Sequence, residues 1–179
     1  MLAQAHHSLR TATHGPGFRD VTREVAAWLA AIGAQEGLLT LFVRHTSASL
    51  TIQENADPDV LRDLADALDR LAPRQHPYRH SVEGPDDMPA HIRAMLTAAS
   101  LGVPVMEGKM VLGTWQAIYL VEHRDSLYER EIVLHYMGTR QGLAANRTGR
   151  RYLACFTATS ESTRAISMSF WRISGVSSA

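Results

Sequence analysis

The sequence predicts an α+β fold, a mostly antiparallel sheet with helices packed against it, and three observations predict it. Strand-like segments come in runs rather than alternating strictly with helices. Three stretches carry apolar residues at helical spacing. A short Glu107-Gly108-Lys109 turn joins two apolar runs as a hairpin would.

The elements follow in chain order. Residues 2–12 alternate loosely and fit a first strand at a sheet edge. From Phe18 to Ile32 the apolar positions Phe18, Val21, Val25, Trp28, Leu29 and Ile32 recur at helical spacing, with Asp20 or Thr22 as a cap and Gly33 at the end. Gly37 opens a strand over Leu38–Val43, and Leu50 with Ile52 marks a second. Asp57-Pro58 starts a helix, because proline's missing N–H costs nothing in the first turn. Val60, Leu61, Leu64, Leu68 and Leu71 are its expected buried stripe. Residues 73–86 read as loop. A helix from Asp87-Met88-Pro89 is expected to turn Ile92, Met95, Leu96 and Ala99 inward. Leu101–Met106 and Met110–Val121 form the hairpin, Glu122-His123-Arg124-Asp125 reads as a solvated strand end, and Glu131–Met137 is the last strand.

The 179 residues suffice for one domain with a core. Formal net charge is zero, which gives no general electrostatic case for nucleic acid or an anionic membrane. No apolar run approaches the ~20 residues of a membrane span. No signal peptide is expected, the lone Cys155 precludes an internal disulfide framework, and the default setting is cytoplasmic. Charge is nevertheless uneven. Residues 1–138 carry 12 Lys and Arg against 17 Asp and Glu, whereas 139–179 carry six arginines against one glutamate. The expected organisation is a folded domain over 1–138 and a basic, Ser/Thr/Arg-rich, poorly ordered tail over 139–179; the alternative for the tail is a docking strand from Tyr152 to Thr157.

Chemistry concentrates in three polar blocks, read as parts of one site. The first is Arg44-His45-Thr46-Ser47-Ala48-Ser49 with Asn55 and Asp57, the second runs from Tyr78 to His91, and the third is Leu112-Gly113-Thr114-Trp115-Gln116. His45 at a strand end, His80 in a loop and His91 in a helix's first turn would together make a zinc-like centre with an open position. Singly, each imidazole reads first as structural, a hydrogen-bonded or surface ring, and only convergence of the three favours a metal. Thr46, Ser47 and Ser49 either satisfy turn backbone or, with Arg44, hold an anionic group. Asn55 orients a ligand or finishes a turn, and Asp57 caps a helix or meets a metal or ligand amine. Glu83, Asp86 and Asp87 could fix a histidine tautomer. Trp115 and Gln116 suit a flat heteroaromatic ring, or Trp115 is core.

These blocks resemble the YjbQ family, an uncharacterised-protein family also labelled secondary thiamine-phosphate synthase. The matching residues are His45-Thr46-Ser47-Ala48-Ser49-Leu50-Thr51-Ile52, Glu54-Asn55-Ala56-Asp57-Pro58-Asp59, Tyr78 with His80, Glu83-Gly84, Asp86-Asp87-Met88-Pro89-Ala90-His91 and Leu112-Gly113-Thr114-Trp115-Gln116. The resemblance implies a homotrimer with polar sites near subunit boundaries and a metal-binding pocket at His45, His80 and His91. It also implies weak thiamine-phosphate formation, in which a thiazole phosphate displaces pyrophosphate from a pyrimidine. On that expectation His45, Asn55 and Asp57 are the catalytic candidates. Arg44, Thr46, Ser47, Ser49, Glu83, Thr114, Trp115 and Gln116 are the substrate-binding candidates. The cofactor would be a divalent ion, zinc-like or magnesium. Three histidines suit a zinc-like ion better than magnesium, which favours oxygen ligands. A metal-dependent hydrolase of a small phosphate or amide substrate is therefore an alternative, and a non-enzymatic trimer binding a small ligand or metal is another.

Overall fold

Two antiparallel sheets share one core. The computed structural model describes residues 1–141. The elements are β1 (Ala3–His14), β2 (Gly17–Asp20), α1 (Thr22–Ala31), β3 (Ala34–Val43), β4 (Ala48–Glu54), α2 (Pro58–Leu71), α3 (Asp87–Leu96), β5 (Ser100–Met106), β6 (Lys109–Met110), β7 (Gln116–Glu122) and β8 (Leu127–Arg140). Five strands pair in the order β1-β8-β3-β5-β6 and three in the order β2-β7-β4. The α+β class holds. Most of the tail, with Cys155 and the alternative strand Tyr152–Thr157, lies outside the described residues. No helix among the described residues is long and apolar enough to cross a membrane.

Period-two alternation places the core. Leu39, Leu41 and Val43 of β3, Ile132, Leu134 and Tyr136 of β8, and Val103 and Val105 of β5 point inward. They meet Leu50 of β4, Ile118 and Leu120 of β7, and Val21, Val25 and Leu29 at and along α1. The alternate residues Leu38, Phe42, Met137 and Met106 stay exposed on the outer face of the larger sheet.

Several elements differ from expectation, for local reasons. Phe18 belongs to β2, where it pairs with Val121, so α1 begins only at Thr22. The Asp20 carboxylate accepts the Thr22 N–H at 2.8 Å and turns the chain into the helix. Gly37 lies within β3, not at its start: a Cβ there would come within 2.7 Å of Gly138 Cα and closer still to the Met137 carbonyl. The hairpin turn is as expected, with Glu107 and Gly108 both at positive φ and Met106 paired with Lys109. Its return strand, however, is only β6; the chain then leaves the sheet, and β7 joins the other one.

Two helix faces need correction. Asp57 caps α2 through the Asp59 N–H at 2.9 Å, but no α2 residue is fully buried and Leu71 is exposed. In α3 the buried residues are Asp87, Pro89, Ala90 and Arg93, while Met95 and Leu96 face solvent. The apolar stripe is turned away because two ion-paired side chains take the inner face. Arg93 donates to the Ala72 carbonyl at 3.1 Å and pairs with Asp69 at 2.7 Å.

Candidate metal centre

Asp87 and His91 lie one turn apart on α3, so both side chains project from one face. His80 reaches them from the preceding loop. Its Nε2 is 2.7 Å from Asp87 Oδ2, and His91 Nε2 is 3.3 Å from the same oxygen. One ligand atom from each of the three residues lies within 4.8 Å of the others. The carboxylate is buried and forms the floor, while both imidazoles reach the surface.

The tautomers make this cluster suited to a cation. His91 Nδ1 is 3.0 Å from the Thr46 carbonyl oxygen, which can only accept, so Nδ1 carries the proton. Nε2 is then left with a lone pair aimed at a carboxylate oxygen. Two electron-rich atoms at that separation repel unless a proton or a metal ion lies between them. Two imidazoles and one carboxylate are a donor set for a zinc-like ion, with positions left for water or substrate.

The centre rests on the end of β7, which is buried rather than solvated. Arg124 Nε donates to Asp86 Oδ2 at 2.9 Å, its Nη1 pairs with Asp87 Oδ1, and its Nη2 donates to the Glu83 carbonyl at 2.9 Å. With Oδ1 thus engaged, Asp87 offers only Oδ2. Burial pushes the Asp86 carboxyl up, but the Asp125 N–H and the Arg124 guanidinium outweigh it and hold it below the ordinary range. Beneath lies Glu122. Burial raises its pKa as well, and Arg130 and Thr13 more than offset this. Arg130 also stacks over Tyr128, 4.3 Å from the ring centroid. His123 Nε2 is 2.8 Å from Ser49 Oγ. Burial, then the charge of Arg93, pushes this imidazole down to about 4, so it is neutral.

The expected site residues divide accordingly. His80 and His91 meet, but the third member is Asp87. His45 Nε2 instead accepts the Glu131 N–H at 2.9 Å. Burial, then Arg130, lowers the pKa of His45 and keeps it neutral, with its proton on Nδ1. Arg44 makes an exposed 3.4 Å pair with Glu131. Thr46 contributes its carbonyl, and Ser47 Oγ accepts from Arg130 at 3.3 Å. Ser49 is fully buried against His123, so it is not an exposed anion-binding hydroxyl. Glu83 takes part through its backbone.

The remaining candidates sit elsewhere. Asn55 donates its N–H to the Trp115 carbonyl at 3.0 Å, and Gln116 Oε1 accepts from the Gly113 N–H at 2.8 Å. Ala48 pairs with Glu122 and Glu54 with Gln116, so the length of β4 separates these residues and Asp57 from the metal cluster. Seven residues at the usual strand rise make that roughly 20 Å. Within one chain the three polar blocks therefore fall in two separate places. Trp115 is exposed rather than core, beside a groove of about 640 Å³ whose lining includes Leu29, Met110, Leu112 and Gln116. Spacing contained one unused signal: an aspartate and a histidine four apart on a helix. Glu122, Arg124 and Arg130 carried no comparable mark.

A family model described as UPF0047 protein YjbQ-like matches residues 6–139. A UPF0047 protein of Synechocystis is 48% identical over 136 residues, covering 75% of this chain and 92% of its own length. The UPF0047 protein YugU of Bacillus subtilis is 41% identical over 119 residues, covering 66% and 88%. Among solved structures, a YbjQ-like protein of unknown function from Sulfolobus solfataricus superposes with a TM-score of 0.73 at 25% identity, over 78% of this chain and all of that one. A conserved hypothetical protein from Thermus thermophilus gives 0.64 at 38% identity, over 72% and 97%.

Proposed function

The chain belongs to the UPF0047 YjbQ-like family, and on that premise we propose that it is a divalent-metal enzyme acting on a small phosphorylated molecule, with His80, Asp87 and His91 as ligands. The observation that carries this reading is the His91 lone pair held against Asp87 Oδ2 by the Thr46 carbonyl. A zinc-like ion held there would supply a water of lowered pKa or positive charge opposite a departing phosphate oxygen. The chain's own groups do the rest. Thr46 sets the His91 ring, and Arg124 and Asp86 hold the Asp87 carboxylate in place. Arg44, exposed and held by Glu131 only at 3.4 Å, would exchange that partner for a substrate phosphate. His45, neutral and with its proton on Nδ1, acts as a donor rather than a base.

The donor set favours hydrolysis of a small phosphate or amide substrate. The second reading is transfer of the thiamine-phosphate type, joining a pyrimidine pyrophosphate to a thiazole phosphate. The exposed Trp115 indole, with Thr114 and Gln116 beside it, favours that reading because it offers a stacking surface for a ring. Trp115 lies at the far end of β4, so a substrate would reach both ends only across a subunit boundary. We accordingly propose a homotrimer, built in part on the exposed Leu38, Phe42, Met106 and Met137.

The test is metal analysis of purified protein, followed by turnover assays with a chromogenic phosphate ester and with the pyrimidine–thiazole pair. Wild type is expected to hold about one ion per chain. Asp87→Ala and His91→Ala should lower metal affinity by more than ~10-fold, a typical minimum for changes around a metal site, and Asn55→Ala should leave it unchanged. Unaltered metal content in the first two variants would overturn the ligand assignment. Bound metal without turnover of either substrate would leave a metal-binding trimer.

A further inference from the structure

His91 owes its orientation to a backbone atom, the Thr46 carbonyl oxygen. A carbonyl lies in its rigid peptide plane, so whatever holds the neighbouring residues sets its aim. Thr46 belongs to the short crossing from β3, which ends at Val43 in the larger sheet, to β4, which begins at Ala48 in the smaller one.

The crossing leaves the larger sheet by way of a side chain. Val43 is the last β3 residue in register with β8, opposite Ile132. One step on, the Arg44 N–H still donates to the Glu131 carbonyl at 3.1 Å. In a continued antiparallel ladder those two residues would exchange both bonds. The second bond is replaced: the Glu131 N–H donates to His45 Nε2 at 2.9 Å. The imidazole thus stands in for a strand carbonyl. It satisfies β8 and lets the backbone turn away from the sheet toward α3. On the other side of Thr46, Ser47 Oγ accepts from Arg130 Nη2 at 3.3 Å. Both neighbours of Thr46 are therefore tied to consecutive β8 residues, and between the ties its carbonyl meets His91 Nδ1 at 3.0 Å.

Of the two ties, His45 is the stronger. Arg130 is committed to Glu122, with Nε and Nη2 donating at 2.6 and 2.5 Å, and it reaches Ser47 only at longer range. The His45 tie needs an uncharged ring, because Nε2 of an imidazolium has no lone pair. Burial first, and the charge of Arg130 next, favour that form.

We infer that His45 is a positioning residue: by accepting the Glu131 N–H in place of a strand carbonyl, it aims the Thr46 carbonyl at His91 and so determines which His91 nitrogen is left free for a metal. Its purpose rests on the metal reading above; the positioning itself does not. The ring acts through Thr46 and is not a member of the cluster formed by His80, Asp87 and His91. Tie, carbonyl and tie also account for His45, Thr46 and Ser47 standing side by side.

Three variants of the full chain separate reach from polarity. His45→Gln carries an acceptor as many bonds from Cα as Nε2, His45→Asn carries the same amide too short to reach, and His45→Leu has no acceptor. The first readout is the His91 Nδ1–H proton resonance, which NMR detects while the hydrogen bond slows its exchange with water. It is expected in wild type and His45→Gln, and lost in the other two. The second readout is zinc affinity, expected to fall roughly 10-fold in His45→Asn and His45→Leu and to stay near wild type in His45→Gln. Adding His45→Leu to His91→Ala should weaken zinc no further, because a group acting through His91 then has nothing to orient. Should His45→Leu fail to fold, His45→Asn carries both measurements. A His91 Nδ1–H signal that survives in either folded variant would overturn the inference, and so would additive losses in the double variant. If wild type binds no zinc, loss of the signal in the two variants keeps the positioning role and removes the metal reading alone.

Discussion

His123 shows how one buried side chain ties stability to pH. Its pKa is pushed from the ordinary 6.5 to about 4 because the folded protein keeps it uncharged. Between those values the unfolded chain binds a proton that the native state refuses. The contribution is therefore complete above pH 6.5 and is lost as pH falls toward 4. From pH 7 to pH 5 it amounts to roughly 2 kcal/mol, using 1.36 kcal/mol per pKa unit. Urea unfolding at the two pH values measures it: wild type should lose this much more than His123→Gln. Equal losses would mean that the imidazole is not held neutral. Ser49→Ala should cost about 1–3 kcal/mol by stripping the buried ring of its partner. None of this was legible in the sequence. A Glu-His-Arg-Asp run after a strand looks like a solvated end, and only the return of Arg130, Thr13 and Asp87 to the same place makes it an interior network.

At the level of elements, regular spacing was a good guide to which segments form and a poor guide to which side they bury. The edge strand β1, the Asp57 cap and the Glu107-Gly108 turn rest on local chemistry, and they occur where expected. The buried face of α3 follows instead from ion pairs with distant partners. Apolar counting therefore chose Met95 and Leu96 over Asp87 and Arg93. The same limit explains the metal cluster. His80 and His91 could be nominated by type, but Asp87 enters only because Arg124, just past β7, fixes it. Backbone proximity is equally invisible in a single sequence. A Cβ on Gly138 would stand 2.7 Å from Gly37 Cα and would also clash with the Glu36 carbonyl. Gly138→Ala must therefore prise β3 from β8. A loss of about 1–3 kcal/mol is expected, as for overpacking elsewhere, read as a lower midpoint in thermal unfolding. No loss would mean that the two strands are further apart than described.

For the whole molecule, the open question is what covers the outer face of the larger sheet. Leu38 and Met137 are cross-strand neighbours there, with Phe42 four residues further along β3. An exposed apolar face on a sheet invites a partner. The homotrimer proposed above answers that, and it gives the separated Trp115 end a route to the metal cluster of another copy. All three proposed metal ligands come from a single chain, and the prediction turns on this asymmetry. Phe42→Glu combined with Met137→Lys should convert a trimer into monomers in sedimentation velocity, with the far-ultraviolet circular dichroism unchanged. Metal content per chain should stay the same, because no ligand is lost. Turnover that needs Trp115 from a neighbour should disappear. A wild type that sediments as a monomer would remove the assembly altogether. A double variant that is monomeric yet fully active would keep the assembly but confine catalysis to the His80–Asp87–His91 end, leaving Trp115 without a part in it.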